Sequence, residues 1–160
     1  MSPFYRVLEA KPFLMVMTAN SNAPIHSRLW CCLEAFCALD FEVEVTLAGD
    51  PLWLVRMEDR DRAQHAITRA AEAEINLQSF GADGARGQLQ VLQAKANLHA
   101  AFEDIAISTA DANCYSNKDR AVIMQLIGGR TDEVDAMIKK QMTIKAEDAV
   151  KKEVHRMATM

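Results

Sequence analysis

The sequence predicts an α/β domain, with a short and mostly parallel sheet flanked by helices and a helix-rich C-terminal half. Residues 13–17 form an apolar run, and a helix-length apolar stretch and an alternating segment follow it, which is the pattern of a strand–helix–strand unit. From residue 59 onward the chain is rich in alanine and charge, and its apolar residues recur at helical spacing. The chain has only 6 glycines and 4 prolines in 160 residues, which favours helices.

The first strand is predicted at residues 13–17, FLMVM. A short, continuous apolar run of this kind is typical of a strand that is buried on both faces. A polar loop follows at residues 18–24. Ser27 is expected to cap the next helix, because its hydroxyl can accept a hydrogen bond from the first turn. That helix runs to about residue 39, and its apolar stripe consists of Leu29, Leu33, Phe36 and Cys37, widened by Trp30.

The second strand is predicted at residues 41–47, where apolar and polar residues alternate. Its inward-facing residues are Phe41, Val43, Val45 and Leu47. Alternation indicates a half-exposed strand at or near a sheet edge. Because a single helix separates the two strands, they are expected to pair in parallel through a crossover connection. Gly49-Asp50-Pro51 then turns the chain.

The remaining residues are predicted to be mainly helical. Helices are expected at residues 59–79 and 88–103, and the latter has Leu89, Leu92, Ala96 and Leu98 among its apolar residues. The glycine-containing segment 81–87 is interpreted as a flexible connector, since it lacks the lysine–serine ending of a phosphate-binding loop. Ile105 and Ile107 are predicted to form a short strand.

The last two helices have clear boundary signals. Ser116 and Asp119 have the spacing of a capping box at the start of the first, and Gly128-Gly129 ends it. Thr131 is expected to cap the last helix, which runs past residue 150 with Val134, Met137, Ile138 and Met142 inward. The expected organisation is a single domain over residues 1–160, with a strand–helix–strand core at 11–58 and a helical half at 59–160.

Charge and composition exclude several classes of protein. The net charge of −4 gives no general attraction to nucleic acid. Residues 139–156 have six basic and three acidic side chains, so they carry +3 and the rest of the chain −7. This basic C-terminal helix is a candidate for peripheral contact with a partner or an anionic surface. No secretory signal or transmembrane stretch is evident, which predicts a soluble, intracellular protein of the cytoplasm or an organelle interior.

The cysteines and histidines do not predict a metal site. Cys31, Cys32 and Cys37 lie on one predicted helix, where disulfide geometry is awkward, so all four cysteines are expected to be reduced, buried thiols. Their C-C-x4-C spacing contains no CxxC pair, and the four histidines are scattered. The sequence therefore predicts no metal.

Ser27, Trp30, Cys31 and Glu34 form the motif S-R-x-W-C-x-x-E on the first long helix. This motif resembles S-x-W-C-x-x-E-L of Toll/interleukin-receptor (TIR) domains, with one extra residue after Ser27 and alanine in place of the leucine. Residues 107–129 are similar to the C-terminal region of poorly characterised TIR-like proteins of protists and algae. The resemblance implies a TIR/flavodoxin-like remnant. It also implies a truncated relative or a fragment, since TIR domains have two further βα units before this strand.

The resemblance identifies Glu34 as the candidate catalytic residue. In NAD-cleaving TIR domains the glutamate of this motif is the catalytic carboxylate, which would stabilise the positive charge that develops as nicotinamide departs. The alternative for Glu34 is a helix residue that faces solvent or pairs with Arg28. Trp30 and Cys31 are expected in the core.

The preferred functional hypothesis is a non-enzymatic protein–protein interaction module or accessory subunit that needs no cofactor. The family's nucleotide pocket depends on units that would precede residue 11, and a function has to be argued from a site. The alternative hypothesis is an NAD-cleaving or nucleotide-binding enzyme that uses Glu34, with NAD as its substrate.

Overall fold

The structure is a computed structural model that describes residues 3–18, 23–80, 84–105 and 107–160. It is 74% helical and contains a two-stranded parallel sheet, so the predicted helix-rich α/β class is confirmed at that level. The helices and strands are α1 (Pro3–Glu9), β1 (Leu14–Thr18), α2 (Leu29–Asp40), β2 (Glu44–Ala48), α3 (Arg60–Phe80), α4 (Gly84–Glu103), α5 (Asn117–Ile127) and α6 (Thr131–Ala158). Among the described residues, no helix combines the length and the apolar character needed to cross a membrane.

The chain divides into two compact units. The first unit comprises Met1–Leu54 and Ile107–Gln141, and the second comprises Val55–Ala106 and Met142–Met160. The sheet and the motif-bearing helix α2 belong to the first unit. The second unit consists of α3, α4 and the later part of α6.

The sheet of the first unit has one buried face and one open face. β1 pairs in parallel with β2, with Leu14 opposite Glu44. Met15 and Met17 of β1 are buried, whereas Leu14 and Val16 are exposed. The prediction that β1 is buried on both faces is therefore wrong, because a continuous apolar run does not show which faces other elements cover. The alternation predicted for the second strand is confirmed for the buried residues Val43, Val45 and Leu47. The predicted start is wrong, because β2 begins at Glu44 and Phe41 is half-buried in the turn before it.

Helix α2 begins without the predicted serine cap. Its N-cap residue is Arg28, and no side chain bonds the first turn. The Ser27 hydroxyl instead donates to the Pro24 carbonyl oxygen at 2.6 Å, inside a 3₁₀ turn that precedes the helix. The predicted stripe is confirmed for the buried residues Leu29, Leu33, Phe36 and Cys37.

The boundary signals of α5 are confirmed, and that of α6 is not. The Ser116 hydroxyl accepts from the Asp119 backbone N–H at 3.3 Å. Gly128 ends α5 with a left-handed φ of 63°, a conformation that a side chain would strain. Thr131 is the first residue of α6 rather than the residue before it, so its predicted capping position is wrong. Val134, Ile138 and Met142 of α6 are buried as predicted, and Met137 is half-buried.

In the second unit, α3 and α4 form an antiparallel helical hairpin. Arg62 at the start of α3 pairs with Asp104 beyond the end of α4 (2.6 Å), and Glu74 pairs with Lys95 (2.9 Å). Helix α4 already begins at Gly84, so the interpretation of residues 84–87 as a connector is wrong, whereas residues 81–83 lie outside the described residues.

The strand predicted at Ile105 and Ile107 is also wrong. Both residues are buried, but neither belongs to a strand, and residue 106 lies outside the described residues. Their apolar character therefore reflects burial in a non-regular segment.

The later part of α6 is more neutral at its surface than its lysine count suggests. Lys151 pairs with Asp148 at 3.1 Å, and Arg156 pairs with Glu153 at 2.7 Å. Its Val150 is buried. Peripheral contact through this basic helix stays a prediction.

Candidate functional site

Backbone hydrogen bonds to a part of the chain that is distant in sequence fix the start of α2, the helix that carries the motif. The Leu29 N–H donates to the Asn113 carbonyl oxygen at 2.9 Å, and the Asn113 N–H donates to the Ser27 carbonyl oxygen at 2.7 Å. These bonds form an isolated parallel bridge between Arg28 and Asn113. The first turn of α2, which contains Trp30, is thus held by backbone hydrogen bonds to a segment about eighty positions later in the sequence.

Glu34 is half-buried and lines a small cavity of about 180 Å³. The cavity is lined by residues 15–18 of β1 and by residues that follow its carboxyl end, and its polar wall consists of Thr18, Arg28, Cys31 and Glu34. Burial raises the pKa of Glu34, and the positive charge of Arg28 partly opposes this rise. No hydrogen bond or ion pair joins the Glu34 carboxylate to another residue among those described, so the predicted pairing with Arg28 is a longer-range attraction rather than a contact.

The place of this cavity is chemically suggestive, but its volume is small. In open parallel sheets, ligands bind beyond the carboxyl ends of the strands. The four polar groups could hold one small polar moiety. Pockets that enclose a whole cofactor or drug-sized ligand usually have about 300–1,000 Å³, so a cavity of about 180 Å³ is too small to enclose a dinucleotide.

Trp30 lies outside the core, contrary to prediction. Its side chain is 44% exposed and lines a groove of about 680 Å³ in the first unit. We call this surface the α2–α5 groove, and its apolar lining includes Tyr5, Trp30, Leu33, Phe36, Leu126 and Ile127. Glu34 lies on the wall of this groove as well as on that of the small cavity.

Arg130 also lines the α2–α5 groove and is the one basic residue among its described lining residues. Its guanidinium donates to Asp40 at 2.9 Å and to Glu133 at 2.7 Å, and it stacks 5.0 Å from the centre of the Phe36 ring. The hydrogen bond from Arg130 holds the pKa of Glu133 below its usual value. Asp40 thus already has an ion-pair partner within the first unit, unlike Glu34, although it shares that partner with Glu133.

The cysteines of α2 are thiols with suppressed reactivity. All four cysteines are free, as predicted, although Cys31 and Cys114 are only half-buried. Burial raises the pKa of Cys32 to about 11, and the nearby Thr109 hydroxyl offsets only part of this rise. The Cys32 thiol donates to the His26 carbonyl oxygen at 3.4 Å. Burial, with help from the Glu34 charge, also raises the pKa of Cys31. Because the thiolate is the nucleophile, neutral thiols of this kind do not support a catalytic cysteine.

One set of hydrogen bonds in the first unit, between Thr109 and Asp135, could not be predicted from the sequence. Thr109 is fully buried, and both its backbone N–H and its hydroxyl donate to Asp135 Oδ1, at 2.9 and 2.5 Å. This pair lies against the buried Cys32. Thr109 lies in the segment 107–129 that resembles TIR-like proteins, but nothing in the sequence pairs it with Asp135, which is 26 positions away.

The structure brings together only part of the predicted site. Glu34 and Cys31 share the small cavity, Trp30 and Glu34 share the groove, and Ser27 serves the turn before the helix. Within the part of the chain that the structure describes, no three His, Cys, Asp or Glu side chains are grouped to hold a metal ion. Comparison of the chain with protein-family models, with curated proteins and with solved structures gives no significant match.

Proposed function

We propose that this chain is a non-enzymatic protein–protein interaction module, or an accessory subunit, with a TIR-like strand–helix–strand core. The open apolar face of β1 carries the proposal. Leu14 and Val16 of this face are 37% and 53% exposed, and Phe13, which precedes the strand, is 91% exposed. Parallel sheets are normally covered on both faces, and two strands alone are only marginally stable. An exposed apolar patch on such a sheet is therefore best explained as a contact surface.

The charge of this face favours a protein partner with basic residues. Across the sheet from Leu14 and Val16 lie Glu44 and Thr46, and Glu44 is exposed. The chain outside residues 139–156 carries a net charge of −7. A partner surface with apolar residues and a lysine or arginine opposite Glu44 would complement both the shape and the charge of the open face.

Replacing Val16 by lysine is expected to abolish binding of the partner protein. A lysine on an exposed sheet face is compatible with the fold but places a charge in the contact. We expect the amount of partner protein that copurifies from the native source to fall at least about tenfold, as quantified by mass spectrometry. Val7→Lys is the matched control, because Val7 is similarly exposed (58%) but lies on α1. A partner that Val16→Lys retains in full, or the absence of any stoichiometric partner, would contradict the proposal.

The observation that favours the alternative function is the position of Glu34. Its carboxylate lines the cavity formed by β1 and by residues that follow its carboxyl end, and it has no ion pair with another described residue. In the NAD-cleaving TIR-like enzyme that the motif suggests, this carboxylate would stabilise the charge that develops on the ribose as nicotinamide departs. The small volume of the cavity makes this the second of the two proposals.

Nicotinamide release from NAD separates the two functions. For an interaction module we expect wild-type protein to release no more nicotinamide than Glu34→Ala, measured by chromatography. Release that disappears in Glu34→Ala would establish the enzyme instead. Such release should increase as the pH rises through the raised pKa of Glu34, because the deprotonated carboxylate is the active form. Glu34→Gln is the matched variant, since it keeps the size of the side chain and removes its charge.

A further inference from the structure

We propose that the α2–α5 groove binds an amphipathic helix of a partner protein, and that a lysine or arginine of that helix pairs with Glu34. The inference rests on the proposed function and names the chemistry of the partner. Neither Leu14 nor Val16 of the open sheet face lines the groove, although Val16 and Glu34 both line the small cavity. The groove is therefore tested separately through Leu126 and Trp30.

The shape of the groove suits a helix. Its volume of about 680 Å³ is large enough for several side chains. On α2 it is lined by Trp30, Leu33 and Cys37, which lie at positions i, i+3 and i+7 and so form one stripe along the helix. An apolar stripe of this kind along the groove can receive the apolar anchors that a bound amphipathic helix presents at i, i+3 or i+4, and i+7.

The composition of the groove indicates a contact surface rather than unfilled core. Trp30 is 44% exposed and Leu126 of α5 is 59% exposed. Val122, one turn before Leu126 on the same helix face, is 50% exposed and extends this apolar surface. Tryptophan in a concave, apolar setting is the residue type that most often dominates binding energy.

The charge of the groove selects a basic partner. Two carboxylates lie on its α2 wall, and that of Asp40 is already paired with Arg130, which it shares with Glu133. No such ion pair joins Glu34 to any residue that the structure describes, and Arg28 at the start of α2 attracts it only at longer range. A cation on the bound helix would therefore gain a partner there, whereas an acidic residue would be repelled.

Two designed peptides and the fluorescence of Trp30 test the inference. The chain has two tryptophans, so Trp53→Phe leaves Trp30 as the only one. The first probe is an alanine-based helix of about 15 residues, with leucines at i, i+4 and i+7 and an adjacent arginine. The second has glutamate in place of that arginine. We expect the arginine peptide to bind with a blue shift of Trp30 emission and the glutamate peptide to bind at least about tenfold more weakly.

Variants of the protein check that the contact is the proposed one. Glu34→Gln should lower the affinity for the arginine peptide roughly fivefold and raise the affinity for the glutamate peptide. Leu126→Glu should abolish binding. Leu92→Glu, which changes an equally exposed leucine (64%) in the second unit, should leave binding unchanged.

Several outcomes would overturn the inference. The first is that neither peptide shifts the Trp30 emission. The second is that Leu92→Glu and Leu126→Glu weaken peptide binding equally. The third is that the protein sediments as a dimer that Leu126→Glu dissociates. The last result would mean that a second copy of the chain occupies the groove. A copurifying partner that Val16→Lys loses but Leu126→Glu and Trp30→Ala retain would also refute it, while leaving the proposed function intact. If no partner binds any form, the proposed function itself fails.

Discussion

Replacing Leu98 by alanine is expected to lower the free energy of unfolding by about 3 kcal/mol, whereas the same replacement at Leu92 should change it by less than about 0.5 kcal/mol. Both leucines lie on α4, but Leu98 is 1% exposed and Leu92 is 64% exposed. Removal of Leu98 loses buried apolar area and leaves a cavity against α3 and the neighbouring buried residue Phe102. Removal of Leu92 loses little buried area.

The pair is a matched test because the chemical change and the helix are the same. The small gain in helix propensity from leucine to alanine is common to both variants and cancels in the comparison. Urea denaturation followed by circular dichroism measures both values. Equal losses, or a larger loss for Leu92→Ala, would show that α4 presents a different face to the core.

These two leucines show where the sequence stops being informative about the fold. The sequence correctly predicted a helix here, but Leu89 and Leu92 lie on one face of α4 and Leu98 lies on the opposite face. Which of them is covered depends on α3 and on the rest of the second unit, and no local pattern contains that information. The same limit applies to β1, where the apolar run predicted the strand but not the exposure of Leu14 and Val16.

Features that depend on local physics were predicted well. The Ser116 cap, the left-handed Gly128 and the alternation of β2 each follow from interactions within a few residues. Thr131 lies inside α6 as its first residue, and the predicted cap at Ser27 failed because a local alternative takes its hydroxyl. At Ser27 that alternative is the 3₁₀ turn that takes up its hydroxyl.

The candidate site was predictable only in part, for the same reason. The motif spacing correctly placed Glu34 on a helix that follows a strand of a parallel sheet. The α2–α5 groove required α5 and Arg130, which pairs with Asp40 across 90 positions of sequence. The exposure of Trp30 follows from that groove and not from its neighbours in the motif. A sequence motif therefore identified the helix, and tertiary packing decided which of its faces is open.

Replacing Asp135 by alanine is expected to lower the free energy of unfolding by roughly 2–4 kcal/mol, although Asp135 itself is only half-buried. The reason is the fully buried Thr109, whose N–H and hydroxyl both donate to Asp135 Oδ1. Alanine would leave both donors without their acceptor in a place from which water is largely excluded. Leaving a buried donor unsatisfied costs more than a typical hydrogen bond contributes.

Two conservative variants separate the acceptor from the charge. Asp135→Asn keeps an oxygen that can accept from both donors, and Thr109→Val removes the hydroxyl while the N–H remains paired. We expect each to cost about 1 kcal/mol, and we expect the double variant Asp135→Ala/Thr109→Val to cost less than the sum of its single changes. A loss for Asp135→Asn as large as that for Asp135→Ala would show that the negative charge, rather than the acceptor oxygen, stabilises this part of the first unit. Fully additive losses would show that Thr109 and Asp135 act independently, despite their contact of 2.5 Å.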